Sequence, residues 1–377
     1  MKLLFLTGTR ADWGYAQPIA DLCRDQNIDY EVCVTNMMML PAYGTLVDEL
    51  RRDGYNVGGE LFMSLEGHTH ATMAKSMAIF MSSFVDTLVR EKPTWVVLAG
   101  DRGEQLMGSV AAAYCYVPIA HIQAGELSGN IDGVARHAIG KFAHIHFCAN
   151  KDATDRLKKL GEEEFRIHQV GHPGLDPITA GDITEVKAFK EKYSFDVEDP
   201  YIIVLFHPVT EDYEFVEDQA SMFIEALEKF PQKKVWILPN NDAGAGKLRP
   251  IIKKNRKSDT LMFENVTRAD FFRLMKHAQC IVGNSSSGLL EAPSFGLPTV
   301  NIGRRQENRV RGENVIDTPF QLDTITQSIT TATSTEFHQK LKGMTNPYGD
   351  GHSAERILEI LKNTPIDDKL LVKRLTY

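Results

Sequence analysis

The sequence predicts an α/β protein built as two doubly wound halves, with the boundary near Gly171–Gly181. Three observations carry this. Short apolar runs alternate with longer helical patterns, as expected of buried parallel strands covered on both faces by helices. The alternation lapses once, in a polar stretch with several prolines, and then restarts. The length of 377 residues suits two domains or one large one.

In chain order, "KLLFLTG", "DYEVCVT", "TWVVLAG", "VPIAHI", "HIHFCA" and "FRIHQVG" read as strands, each apolar and mostly bounded by Gly, Asn or charge. Helical patterns over Ala71–Arg90 and Arg102–Tyr116 lie between them. The segment "GLDPITAGDITEVKAFKEKYSFDVEDP" reads as a connection with one short helix. Strands resume with "YIIVLFH", "KKVWILPN", "DTLMFEN", "QCIVGN" and "PTVNIG". The expected division is 1–175 and 176–354, with a closing helix over about 355–377 that could pack back on the first half. Neither a low-complexity tract nor a repeat of the solenoid kind is visible.

Composition narrows the function classes. Lys and Arg total 42 against 50 Asp and Glu, a net charge of -8, which argues against a general nucleic-acid binder with its basic face. The five cysteines are scattered without a C-x-x-C pair, as for reduced thiols in the cytoplasm. The opening apolar run is too short for a signal peptide or a membrane span. A cytoplasmic protein with no membrane contact is expected.

The informative residues sit where strands end, because ligands of open α/β sheets bind outside the carboxyl ends of the strands. Those ends read "TGTRAD", "AGDRGE", "HIQAGE", "FHPVTED", "PNNDAG" and "GNSSSG". Any one of them is explained by turn and capping preferences. Six in one chain, carrying arginines, histidines and acids, point to a shared site. The stretch "HIQAGELSGNIDGVARHAIGKFAH" adds Gln123, Glu126 and Asp132 around one strand-to-helix junction. Arg136 and His137 follow on the helix, facing the cleft as sugar contacts. In "GNSSSGLLEAPSFG" the serines precede a helical run ending near Phe295–Gly296, and a helix N-terminus with serine donors suits phosphate. Glu291, one turn in, suits a ribose diol, and "GRRQENR" supplies guanidinium groups. The two histidines of "GHTHA" are spaced like metal ligands but lack a third partner, so no metal is expected. His144 and His146 read as structural.

Taken together, "GTRAD", "GDR", "GELSG-x-ID-x-x-x-RHAI-x-K-x-AH", "FHPVT", "PN-x-DAG", "GNSSSG-x-x-E" and "GRRQ" resemble the hydrolysing UDP-N-acetylglucosamine 2-epimerases. The resemblance is particularly to the branch that opens sialic-acid and legionaminic-acid synthesis. The resemblance runs from about residue 1 to about residue 350. It implies two Rossmann-like domains in a glycosyltransferase-B-like arrangement, with the active site in the cleft between them. It also implies chemistry without a cofactor, a UDP-sugar substrate, and a homodimer or dimer of dimers. By the same likeness Arg10, Arg102, His207, Asn240, Val266, Ser285, Ser286, Glu291 and Arg305 fall on positions that hold UDP. Asp101 and Asp132 fall on catalytic carboxylates, and His207 is a further catalytic candidate.

The implied reaction is anti-elimination of UDP to a 2-acetamidoglucal, followed by addition of water to give the 2-epimer. Both halves move protons, so several acid/base groups around one ring are expected, each worth roughly 10²–10⁴-fold. The chain departs from the pattern at three places. Gln123 stands where many members carry a suspected acid, which shifts the expected proton work to Glu126 and Asp132 and leaves Gln123 to bond a sugar hydroxyl or N-acetyl group. "VTNMMM" replaces a histidine-containing turn, and a pocket lined by Met37–Met39 suits a 6-deoxy sugar such as UDP-N,N'-diacetylbacillosamine. Gly14 stands where relatives carry Ser. A glycosyltransferase of the same shape would need an acceptor patch that the sequence does not display. A silent nucleotide-sugar binder is the remaining alternative.

Overall fold

The computed structural model describes residues 1–44, 46–66, 69–257 and 260–376. The first half forms a seven-stranded sheet of β1 (Lys2–Thr7), β2 (Asp29–Thr35), β3 (Val57–Leu61), β4 (Trp95–Ala99), β5 (Ile119–Ile122), β6 (Ile145–Cys148) and β7 (Ile167–Gln169). Their order is β3-β2-β1-β4-β5-β6-β7, and every pairing is parallel. The second half forms a six-stranded sheet of β8 (Tyr201–Leu205), β9 (Lys233–Ile237), β10 (Leu261–Phe263), β11 (Cys280–Gly283), β12 (Thr299–Ile302) and β13 (Val315–Thr318). Its order, β10-β9-β8-β11-β12-β13, is also all parallel. Both sheets therefore carry the doubly wound order 3-2-1-4-5-6, and each has its switch point beside its first strand.

The apolar runs form strands because both faces are covered. β1, β4, β8 and β11 are buried nearly throughout, as parallel central strands require. Helices begin where side chains satisfy the free N–H groups of the first turn. Thr9 Oγ1 accepts from Asp12 N at 3.2 Å to start Arg10–Asp25. Thr69 and Thr72 form a reciprocal capping box for His70–Glu91. Two strands escape the sequence pattern, β3 ("VGGEL") and β13 ("VIDT"). Both are edge strands, half-buried and short, so they lack the apolar run that marks a central strand.

The connecting segment contains two short helices, Asp176–Thr179 and Val186–Tyr193, rather than one. Helix Ser353–Asn363 returns to the first half and lies on helix Arg10–Asp25. There Ile357, Leu358 and Leu361 enter the same core as Leu3, Phe5 and Val97. Arg166, fully buried, holds the segment beyond it by donating to the carbonyls of Lys369, Leu370 and Val372. Among the described residues no helix is long and apolar enough to cross a membrane.

Candidate active site

The carboxyl ends of the two sheets face each other across a cavity of about 440 Å³. Its lining includes Arg10, Asp101, Arg102, Asp132, Arg136, His207, Asn240, Val266, Ser285, Ser286, Glu291 and Arg305. Twelve candidates scattered over nearly 300 positions thus meet at one place. Gln123, Glu126 and His137 do not line it.

One wall belongs to the first half. Asp101 follows β4 after Gly100, whose φ of +81° turns the chain sharply. Arg136, itself 3% exposed, donates through Nη2 to Asp101 Oδ2 and through Nη1 to the Gln123 carbonyl at 2.7 Å. Ser128 Oγ donates to the same Asp101 oxygen at 3.2 Å. Burial favours the neutral carboxyl, but the guanidiniums of Arg136, Arg309 and Arg305 outweigh it and hold Asp101 below the usual carboxylate range. Asp132 has the opposite surroundings. Burial and the charges of Asp101 and Asp242 push it up to about 7, while Asn130 donates to its Oδ2 at 2.8 Å. One wall thus holds an ionised carboxylate beside a carboxyl that keeps its proton near neutrality, which is how environments divide acid and base roles.

The opposite wall belongs to the second half. Gly283, at φ +148°, ends β11 where any Cβ would collide with the Leu205 carbonyl of β8. Asn284 ties the two strand ends together, accepting from His207 N and donating to the His207 carbonyl, each at 2.8 Å. His207 Nδ1 accepts from Asn240 N at 3.3 Å, which leaves the ring proton on Nε2. Burial and Arg305 lower its pKa to about 3, so it is a neutral donor and not a cation. Arg305 donates to the Asn284 carbonyl at 3.2 Å, and its buried Nε has no hydrogen-bond partner among the described residues.

Several expectations need correction. The helical run after "GNSSSG" is a single turn, Ser287–Leu290, followed by a 3₁₀ turn over Ala292–Phe295. Pro293 lacks the N–H that would continue the helix, so the macrodipole assumed there is small. Arg10 and Arg102 already hold carboxylates: Arg10 pairs with Glu49 at 2.6 Å, and Arg102 with Glu104 and Asp242 at 3.1 Å each. Glu126 is 3% exposed, ion-paired with Arg309 and accepting from Asn150 Nδ2 at 3.1 Å, so it braces a loop instead of reaching the cavity. Gln123 takes a left-handed φ of +62°, which turns its amide away from the cleft into a 2.6 Å hydrogen bond with His172 Nδ1. His137 lies about 100° round the helix from Arg136, among Arg156 and Lys141 rather than in the cavity. Of the three methionines, Met37 reaches the cavity, Met38 is core, and Met39 packs against that core.

Three contributors, Arg268, Tyr15 and Ser128, were not singled out by the sequence, although Ser128 lies within the quoted "GELSG" motif. Arg268 follows Val266 at the end of β10 and lines the cavity. A Cβ on Gly14 would stand 3.6 Å from its guanidinium, so the missing side chain leaves it room. Tyr15 meets the buried His172 edge-on at 4.8 Å. Ser128, in the loop just before the helix that carries Asp132, holds Asp101 as described. His144 and His146 bond the Ile119 N–H and Glu162, at 3.0 and 3.1 Å. Gly67 and His68 of "GHTHA" lie outside the described residues, and His70 bonds the Thr210 carbonyl at 3.1 Å. Among the described residues no group of three or more His, Cys, Asp or Glu is placed to hold a metal.

Carboxylates and arginines thus line a cleft between two doubly wound sheets. The UDP-N-acetylglucosamine 2-epimerase family model matches residues 20–362, and the chain belongs to that family. It is 34% identical, over all of this chain and 99% of the relative, to the UDP-N,N'-diacetylbacillosamine 2-epimerase (hydrolyzing) of Legionella pneumophila. It is 33% identical, over 96% of this chain and 95% of the relative, to a UDP-N-acetylglucosamine 2-epimerase of Neisseria meningitidis. Among solved structures, a Neisseria meningitidis UDP-GlcNAc 2-epimerase bound to UDP-GlcNAc superposes with a TM-score of 0.81 at 21% identity, covering 97% of this chain and all of that one. The fold is that of these enzymes, two Rossmann-like halves in a glycosyltransferase-B-like arrangement.

Proposed function

We propose that this enzyme is a hydrolysing UDP-sugar 2-epimerase, releasing UDP and the free 2-epimer from UDP-N-acetylglucosamine or from its diacetamido, 6-deoxy counterpart UDP-N,N'-diacetylbacillosamine. The observation that carries this reading is the oppositely tuned pair Asp101 and Asp132 on one cavity wall. In the first step Asp101, ionised, takes the proton from C2. That C–H electron pair becomes the C1=C2 bond, and the C1–O pair leaves with UDP. In the second step the proton of Asp132 reaches the opposite face of C2 while a water oxygen adds to C1. That water's surplus proton returns to Asp132, the proton taken by Asp101 leaves to solvent, and C2 emerges inverted. Arg305, Ser285 and Ser286 receive the diphosphate charge, with the neutral His207 as a further donor. Arg10 and Arg102 add cationic field already shared with Glu49, Glu104 and Asp242. Asn240, Val266 and Glu291 complete the nucleotide site, and Arg136 orients Asp101. Gln123 and Glu126 shape the wall from behind.

With this reading go the domains 1–175 and 176–354, residues 355–377 returning to the first, and a cytoplasmic homodimer or dimer of dimers. Turnover in D₂O tests the chemistry. UDP is expected without any added acceptor, together with one deuterium at C2 of the free sugar. Hydrogen retained at C2 would point instead to an oxidative or group-transfer route.

A further inference from the structure

Beside the main cavity lies a second one of about 390 Å³, and Arg102 and Asp132 belong to the walls of both. We propose that this second cavity is the subsite for the far side of the sugar ring. It selects a sugar bearing small uncharged substituents there, a methyl at C6 and an acylamino group at C4, over one bearing hydroxyls. The inference rests on the epimerase reading above.

Ring geometry gives the direction. In a pyranose C4 stands across the ring from C1. If C2 is held against Asp101 and Asp132 while the C1 oxygen leaves toward Arg305 and Ser285, C4 and C6 project the other way. They pass Asp132, which lines both cavities.

The lining matches neutral, partly apolar groups. Met63, from the segment after β3, and Met73 and Met77, one turn apart on helix His70–Glu91, form the apolar surface with Leu40 and Tyr43. Spacing i, i+4 puts the last two methionines on one helix face, and thioether chains adapt their shape to small groups. These are different methionines from those of the "NMMM" turn. The amide of Asn36 is already engaged: it donates to Glu104 at 3.1 Å and accepts from Ser64 at 3.1 Å and Asn241 at 2.6 Å.

Charge argues against a second nucleotide there. Among the described lining residues three carboxylates, Glu66, Glu104 and Asp242, beside the protonated Asp132, face two guanidiniums. Both guanidiniums are committed, Arg102 to Glu104 and Asp242, and Arg249 to Glu264. A diphosphate entering this cavity would meet net negative charge, with both guanidiniums among the described lining residues already paired. An amide or a methyl meets no such field.

The test compares kcat/KM for UDP-N,N'-diacetylbacillosamine and UDP-N-acetylglucosamine on the full chain. The wild type is expected to prefer the first by at least about tenfold, the range that one or two small groups in an apolar pocket provide. Met73→Trp, which fills the cavity, and Met77→Gln, which makes it polar, are each expected to cut that ratio at least about tenfold. Calorimetry with UDP alone should give one site per chain and an unchanged Kd in Met77→Gln, which shows that the fold is kept. A wild-type ratio near one or below, variants that leave the ratio where it was, or a second UDP site would overturn the subsite and leave the epimerase reading standing. UDP release from neither sugar would overturn both.

Discussion

Asp101 and Asp132 share a wall, yet their neighbours drive them in opposite directions, and this makes both testable at the level of single atoms. Asp101→Asn and Asp132→Asn are each expected to lower kcat by about two orders of magnitude or more while UDP still binds, read by steady-state kinetics and calorimetry. Asp132 is raised to about 7 by burial and by Asp101 and Asp242, so it is the proton donor only below that pH. Turnover should therefore fall as pH rises through about 7, and Asp132→Asn should lack that limb. The same shift has a stability sign. A carboxyl whose folded pKa is raised contributes stability in full below its unfolded value of 3.8, and that contribution is lost as pH rises through about 7. Asp12, also raised to about 7 by burial and Glu104, acts in the same sense. His121, His144, His146 and His207, lowered to about 3 or 4 by burial, act in the opposite sense. The sign is therefore read from a difference: the melting temperature of the wild type minus that of Asp132→Asn should decline between pH 4 and 8. At this scale the sequence was partly legible. Asp132 and Arg136 share a helix face by their spacing, and Asp101 ends a recognisable strand. Gln123 was not legible in its role, because a single left-handed backbone angle decides that its amide bonds a histidine 49 residues away.

Loops rather than helices join the two walls. The loop carrying Ser128, which leads into the helix of Asp132, packs on the loop over residues 304–309: Gly129 donates to the Arg305 carbonyl at 3.1 Å, and any Cβ at Gly129 would collide with the Arg304 carbonyl. Glu126 and Arg309 close the contact with a buried ion pair. Removing one member of such a pair strands the other charge. Glu126→Ala should therefore lose roughly 3–5 kcal/mol in denaturant unfolding, with turnover at 25 °C reduced less than in Asp101→Asn. On the facing element, Ser285→Ala with Ser286→Ala should weaken UDP binding by about 1–3 kcal/mol in calorimetry if both hydroxyls meet charged oxygens. Unchanged affinity would take the diphosphate away from that turn. The central strands were legible as apolar runs. The edges were not, since β3 and β13 show half their surface to water and carry glycine or aspartate inside.

The whole molecule repeats one winding pattern twice, and the restart of strand–helix alternation after the connection made that visible in advance. The destination of the last helix was not, because an amphipathic helix announces its buried face but not the partner that covers it. Here Ile357, Leu358, Leu361 and Leu370 are buried in the first half's core. Each contributes roughly 1.5–3 kcal/mol, so together they rival the net stability of about 5–15 kcal/mol typical of a folded protein. A chain ending at residue 352 should accordingly lose its cooperative thermal transition, seen by circular dichroism.

The return of that helix also sets an order of events during synthesis. The first half is translated before the second but cannot complete its core until helix Ser353–Asn363 has been made. The second half, whose strands all lie between Tyr201 and Thr318, has everything it needs earlier. The nascent chain should therefore mature from its middle outward, with the N-terminal half waiting, its helix Arg10–Asp25 uncovered, for a segment still to be translated.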